Sequence, residues 1–127
     1  MIIRVMVLMV LLFVNNANAF FLDQQKTFIF VSFSMSDEAL KTYSAESQKA
    51  GAQLIMRGLI NNSFTQTKNK TMELGISFDI DPGLFEQYKI DVVPVIVIDD
   101  EKRGLTKKLT GHIPLATALE IMENNTP

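Results

Sequence analysis

Few side chains in this sequence are suited to covalent chemistry, and the main candidates are two serines and one histidine. Ser34 and Ser36 flank Met35 directly after an apolar run, and His112 is the only histidine in the 127 residues. A serine nucleophile needs a base within hydrogen-bond reach, so Ser34 or Ser36 with His112 would form a hydrolase site. We expect His112 instead to be a partly exposed loop residue and the chain not to be an enzyme.

The sequence contains few of the side chains that thiol chemistry and metal binding require. The chain contains no cysteine, and thiol–disulfide exchange requires a thiolate that no serine can replace. A metal site would combine one histidine with carboxylates, but Asp79 and Asp81 fit a helix cap, and Asp99, Asp100 and Glu101 fit a turn. We therefore expect no metal or other cofactor.

The first residues follow the order of a secretory signal. A cationic start, Met1 to Arg4, precedes the apolar run Val5 to Val14 and the small-residue step from Ala17 to Ala19. Ten helical residues span roughly 15 Å, which is about half of a ~30 Å hydrocarbon core. We therefore predict a signal peptide over residues 1–19, cleaved after Ala19, rather than a membrane span.

The remaining length suits one hydrophobic core and not two. We predict a lead-in over residues 20–26, a single domain over 27–124 and a tail over 125–127. The formal net charge is −2, whereas a nucleic-acid site would need a basic face. One cluster of basic residues consists of Lys102, Arg103, Lys107 and Lys108. Because acidic residues lie directly before it, it indicates a solvent-exposed hairpin rather than a phosphate site.

The segments between turn signals alternate between strands and helices. Thr27 to Phe33 is rich in aromatic and β-branched residues, which favours a strand. Ser36 is a plausible N-cap for a helix that Gly51 ends. The other expected elements are a strand over 52–58, a helix over 64–74, a short strand over 76–80, a helix that begins at Asp81-Pro82, strands over 95–98 and 105–110, and a last helix that opens at 111–114.

This order predicts an α/β, thioredoxin-like single domain with a mixed sheet flanked by helices. In that fold the junction after the first strand holds a Cys-x-x-Cys pair, and here Ser34-Met35-Ser36-Asp37 occupies it. Val93-Pro94 precedes the most hydrophobic strand of the domain. An arbitrary proline is most often trans, but its place in this order favours a cis bond, and the sequence does not fix the isomer.

Five short segments resemble one protein family in their order and spacing. They are Phe30 to Met35, Met56 to Leu59, Asn62 to Phe64, Ile80 to Phe85 and Val92 to Val97. Together they resemble the TrbC-type pilin-assembly proteins of F-type conjugative transfer systems. The resemblance implies a periplasmic component of a type IV secretion apparatus that supports assembly of the conjugative pilus, acting with other assembly proteins and with a TraW-type partner.

A binding role follows from the fold and from the absence of redox atoms. In thioredoxin-like domains the backbone beside the cis-proline can pair with an extended peptide, and we expect a shallow groove there. Met35 is equally compatible with core packing, and Arg57 with an internal salt bridge to a nearby Asp or Glu. The candidate partner-binding residues are Ser34, Met35, Ser36, Asp37, Arg57, Val93, Pro94 and His112.

Three function classes remain open from the sequence. The favoured one is a non-catalytic assembly or scaffolding factor for the conjugative pilus. The second is a periplasmic chaperone or peptide-binding module that uses the same groove. The third and weakest is a hydrolase built on Ser34 or Ser36 with His112.

Overall fold

The computed structural model describes residues 25–124, so the predicted signal peptide, the cleavage after Ala19, most of the lead-in and the tail lie outside the described residues. Within residues 25–124, five strands and four helices follow each other. They are β1 (Gln25–Val31), α1 (Asp37–Ala50), β2 (Gln53–Met56), α2 (Phe64–Leu74), β3 (Asp79–Ile80), α3 (Pro82–Gln87), β4 (Val95–Asp100), β5 (Leu105–Thr110) and α4 (Leu115–Asn124), with a 3₁₀ turn at Ile60–Asn62.

The strands form one mixed sheet in the order β3-β2-β1-β4-β5. Strand β1 is parallel to β2 and antiparallel to β4, β2 is parallel to β3, and β4 forms an antiparallel hairpin with β5. The parallel pairs require crossover connections, which α1 and α2 supply. The predicted α/β fold with a mixed sheet flanked by helices is confirmed.

Alternate side chains of the central strand build two cores on opposite faces of the sheet. Ile29 and Val31 point to the first face, where they pack with residues of α1, α2 and α4. Phe28 and Phe30 point to the second face, where they pack with α3 and the segment after it. Because successive residues of a strand alternate between faces, the unbroken apolar run of β1 serves both cores.

Side-chain caps set the helix starts that the sequence predicts. Ser36 accepts a hydrogen bond from the Ala39 amide at 3.1 Å, Ser63 caps α2 through the Gln66 amide, and Asp81 caps α3 through the Leu84 amide. Gly51 ends α1 with φ 71°, a left-handed conformation that costs glycine little. Helices α1, α2 and α3 therefore begin where the local chemistry indicates, and α1 also ends there.

Strand bounds differ from the predicted ones by a few residues. Strand β1 starts at Gln25, inside the predicted lead-in over 20–26, because Gln25 and Lys26 pair with Asp100 and Asp99 of β4. It stops at Val31 rather than Phe33, because the chain turns after Val31 and the Met35 amide donates to the Ser32 carbonyl. Strand β2 is also shorter than the predicted range 52–58.

Tyr88 joins the second core to the β4–β5 hairpin. Its ring packs 5.6 Å from Phe28 and 5.9 Å from Phe30, its hydroxyl donates to the Asp99 carboxylate, and its carbonyl accepts from Lys108. Burial, and then the hydrogen bond to Asp99, raise the pKa of Tyr88 to about 12. Burial also raises the pKa of Tyr43, the other tyrosine of the chain.

We expect the stability of the protein to fall between about pH 10 and about pH 12 through Tyr88. The folded state keeps the Tyr88 proton when the unfolded chain, with a tyrosine pKa near 10, has lost it. The stabilisation is therefore complete below about pH 10 and is lost as the pH rises through the folded value of about 12. Urea unfolding at several pH values should show this loss.

The Tyr88→Phe variant is the control for that titration. Lysines also deprotonate in this range, so only the difference between the two proteins reports Tyr88. Phenolate absorbance gives a second measurement, because the chain contains no tryptophan. Equal stability slopes for wild type and Tyr88→Phe, or a Tyr88 phenolate that forms near pH 10, would contradict the assignment.

Candidate interaction surface

The strand register brings all eight candidate residues to one end of the sheet. Strand β1 ends there at Val31, opposite Met56 of β2, and β4 begins there at Val95, opposite Thr110 of β5. Pro94 precedes β4, and its carbonyl accepts from the Gly111 amide at 3.1 Å. We call this edge the Pro94 end; the opposite edge, where Gln25 enters the sheet, is the Gln25 end.

The turn between β1 and α1 occupies the Pro94 end beside the first face. The hydroxyls of Ser32 and Ser34 are hydrogen-bonded to each other, and Ser36 caps the helix. Met35 is half-buried and packs against the first core. The turn is therefore held by its own hydrogen bonds. Met35 is partly buried against the first core, as the core-packing interpretation predicts in part.

Asp37 is exposed and paired within the chain. Its carboxylate lies 2.9 Å from the ammonium of Lys70 on α2, which is also 3.8 Å from Glu73. The hydrogen bond to Asp37 is the main cause that raises the pKa of Lys70. Asp37 also lies on the first turn of α1, where the helix dipole favours a negative charge. Contacts within this chain are therefore enough to explain an aspartate at this position, and no partner protein is needed.

His112 is exposed and lies beside the outer surface of α1. It lines a shallow depression of about 200 Å³ with Thr42, Tyr43 and Glu46. Tyr43 donates to the Ile113 carbonyl at 3.1 Å, and Glu46 accepts from the Leu115 amide at 3.0 Å. That lining does not include Ser34 or Ser36, whose hydroxyls have other partners. Among the described residues, the structure shows no Ser–His hydrogen bond that would activate either hydroxyl.

The loop before β4 presents unpaired backbone groups at the Pro94 end. The Val93–Pro94 bond is cis, Pro94 is buried, and Val93 packs partly against the second core. Val92 is 58% exposed. Within residues 25–124, the backbone groups of Val92 and Val93 make no hydrogen bond. An apolar side chain with unpaired backbone groups is the surface that an extended peptide can join by strand addition.

Arg57 extends over the second face from the end of β2. Its amide donates to the Val31 carbonyl, its guanidinium lies 5.1 Å from the centre of the Phe85 ring, and Nη2 donates to the Asp91 carbonyl at 3.1 Å. No carboxylate among the described residues lies within 4.0 Å of the guanidinium, so the expected internal salt bridge is not formed. Ring stacking and a carbonyl hold the side chain instead.

Seven of the eight candidates divide into three places at the Pro94 end, and the eighth, Pro94 itself, is buried directly before β4. The β1–α1 turn and Asp37 lie beside the first face, His112 lies against α1, and Val93 lies with Arg57 on the side of the second face. The sequence predicts one shallow groove surrounded by Val93-Pro94, the turn over 34–37 and Gly111-His112. The depression at His112 is lined by neither the turn nor Val93-Pro94. Sequence reasoning missed Val92 as an exposed residue, and it missed Phe85 and Asp91 as the residues that hold Arg57.

The described residues offer neither a metal cluster nor a membrane helix. No group of three or more histidine or acidic side chains in residues 25–124 is arranged to hold an ion. In the same residues, no helix has both the length and the apolar character that crossing a bilayer requires.

The family model described as type-F conjugative transfer system pilin assembly protein matches residues 29–121, which include all five strands in whole or in part. The chain belongs to this family. The family assignment confirms the resemblance found in the sequence. Since the chain lacks cysteine altogether, no redox activity is evident for this member of the family.

The periplasmic protein TrbC of Escherichia coli K12 is 35% identical to this family member over 82 residues. The match covers 59% of this chain and 38% of the E. coli protein, so the chain spans well under half of that relative.

Solved structures identify the fold of this pilin assembly protein as thioredoxin-like. StoA from Bacillus subtilis superimposes with a TM-score of 0.56 at 17% identity, over 76% of this chain and 81% of StoA. The thioredoxin-related protein from Neisseria meningitidis serogroup B superimposes with a TM-score of 0.53 at 13% identity, over 80% of this chain and 87% of that one. At these identities the likeness concerns the fold alone, and it confirms the predicted fold class.

Proposed function

We propose that this chain is a periplasmic, non-catalytic assembly factor for an F-type conjugative pilus and acts through protein–protein contact. The observation that carries the proposal is the Pro94 end itself. A chain of the pilin assembly family keeps a thioredoxin-like scaffold but lacks the thiols that would make it an oxidoreductase. What that end offers instead is exposed apolar surface, unpaired backbone and a cation.

The proposed location rests on two independent supports. The order of the first 19 residues is that of a secretory signal with cleavage after Ala19, and the relative from E. coli is named a periplasmic protein. In that compartment the partners would be other proteins of the transfer apparatus, and we propose a TraW-type protein among them.

The contact surface that we propose is narrower than the candidate set from the sequence. Val92, Val93 and Arg57 are its centre, because Val92 and Arg57 are exposed and the backbone of Val92 and Val93 is unpaired within residues 25–124. Ser34, Met35, Ser36 and Pro94 support the adjacent turn and strand entrance. Asp37 and His112 stand at its margin, since Asp37 is paired with Lys70 and His112 lies against α1.

A periplasmic chaperone or peptide-binding module is the second candidate, because strand addition at Val92 and Val93 would serve any extended segment. Purification of the full chain from the envelope of a donor cell separates the two. We expect recovery of a defined transfer-system partner, with a TraW-type protein as the specific expectation. A broad mixture of unrelated envelope proteins would contradict the proposal and support the chaperone. Recovery of no transfer-system protein would also contradict it.

A further inference from the structure

The Arg57 side chain is held in place by neighbouring residues but pairs with no carboxylate of the described residues. Ion pairs among the described residues include those of Lys26 with Glu101, of Lys70 with Asp37 and Glu73, and of Arg103 with Asp100. Arg57 is absent from this set although its side chain is held at two points, by the Phe85 ring and the Asp91 carbonyl. A guanidinium carries five N–H donors. The donors that do not reach Asp91 have no acceptor within residues 25–124.

The position of Arg57 links this cation to the exposed backbone beside it. The carbonyl that Arg57 contacts belongs to Asp91, the residue directly before Val92. A segment that crosses Val92 therefore passes within one residue of the guanidinium. Asp91 contributes its carbonyl and not its carboxylate, and Asp81, at the end of β3, accepts from the Leu84 amide in the cap of α3. Within residues 25–124 the remaining guanidinium donors are thus left for a further acceptor.

We propose that Arg57 is the charge-recognition residue of the contact surface and that the partner segment is extended and carries an Asp or Glu side chain opposite it. This inference rests on the proposed function and adds the chemistry of the partner. The guanidinium fork fits a carboxylate with two parallel hydrogen bonds, and the ring stacking reduces the side-chain freedom that binding would otherwise have to remove. Val92 supplies the apolar contact on the same segment.

Photocrosslinking in donor cells tests the partner chemistry directly. The probe is the full chain with Val92→benzoylphenylalanine, an apolar replacement at an exposed site. We expect an adduct with a transfer-system protein, and the crosslinked segment should contain an Asp or Glu. Adding Arg57→Gln should lower the adduct yield about tenfold or more, since hydrogen bonds to a charged group are worth at least that factor.

Two matched variants separate charge from folding. Arg57→Lys keeps the positive charge but loses the planar fork, so its adduct yield should fall between those of wild type and Arg57→Gln. Arg103→Gln is the same arginine-to-glutamine substitution at the Gln25 end of the sheet, where Arg103 pairs with Asp100. It should leave the adduct yield unchanged. Equal losses in Arg57→Lys and Arg57→Gln would overturn the inference in favour of packing. Unchanged adducts in Arg57→Gln, a crosslinked segment without an acid, or no adduct in cells that make pili would also overturn it.

The same cells distinguish this inference from the proposed function. Normal pili and unchanged adducts in Arg57→Gln would overturn the acidic-segment inference while the assembly role stands. Failure of the envelope purification to yield a defined transfer-system partner would overturn the assembly role itself.

Discussion

Donor cells that carry only the Val92→Asp form of this protein should make at least about tenfold fewer pili than wild-type donors. Val92 is 58% exposed beside unpaired backbone groups, so the substitution leaves the core intact. A carboxylate buried in a contact without a partner costs more than the ~1.4 kcal/mol that corresponds to a tenfold change in affinity. The measurement is the number of pili per donor cell, with conjugation frequency as a second readout.

Ile121→Asp is the matched control for that experiment. Ile121 is a β-branched apolar residue that is 38% exposed on α4, toward the Gln25 end of the sheet. It receives the same new charge away from the proposed surface, and we expect near-normal pili. Equal levels of both variants in the periplasm would exclude degradation as the cause. Wild-type pilus numbers with Val92→Asp, or equal losses in the two variants, would contradict a contact surface at Val92.

Truncation of Phe30 should remove about 3–5 kcal/mol from the free energy of unfolding, the usual range for a buried phenylalanine replaced by alanine. Phe30 has no exposed surface and lies in the central strand. Its ring meets Phe85 edge-on with centroids 4.9 Å apart and is also close to Phe28 and Tyr88. A cavity at this point would open the second core, and the same core holds Phe85 beneath Arg57. Urea unfolding of the purified protein measures the loss.

Phe64→Ala is the control, since it removes the same atoms from a side chain that is 79% exposed at the start of α2. Surface substitutions of this kind usually change stability by less than about 0.5 kcal/mol. A Phe30→Ala loss within about 1 kcal/mol of the Phe64→Ala value would show that the second core is not organised around Phe30.

The fold could be predicted because local chemistry and hydrophobic pattern agree in almost every element. Ser36, Ser63 and Asp81 are capping residues in the sequence and are caps in the structure. The aromatic and β-branched run of β1 predicts a strand, and in the structure this strand lies between two cores. Strand ends were less predictable, because the pairing of Gln25 and Lys26 with β4 depends on register across the sheet.

The site was predictable only in its location. Element order predicts the β1–α1 turn, Pro94 and His112 at one end of the sheet, where the strand register also brings Arg57. The distribution of these residues around that end depends on side-chain directions that the sequence does not encode locally. Val92 and Val93 are adjacent valines, yet one is largely exposed and the other packs on the second core. The sequence likewise allows an internal salt bridge for Arg57. In the structure the guanidinium contacts the Phe85 ring and the Asp91 carbonyl instead.

The central claim is that this thioredoxin-like protein supports pilus assembly by contact at the Pro94 end and without a catalytic side chain. The most direct measurement counts pili on donors that lack the native gene and express either Val92→Asp or the triple variant Ser34→Ala, Ser36→Ala and His112→Ala. We expect few pili with Val92→Asp and near-normal pili with the triple variant, provided that both proteins accumulate. Normal pili with Val92→Asp and loss of pili with a stably folded triple variant would contradict the claim.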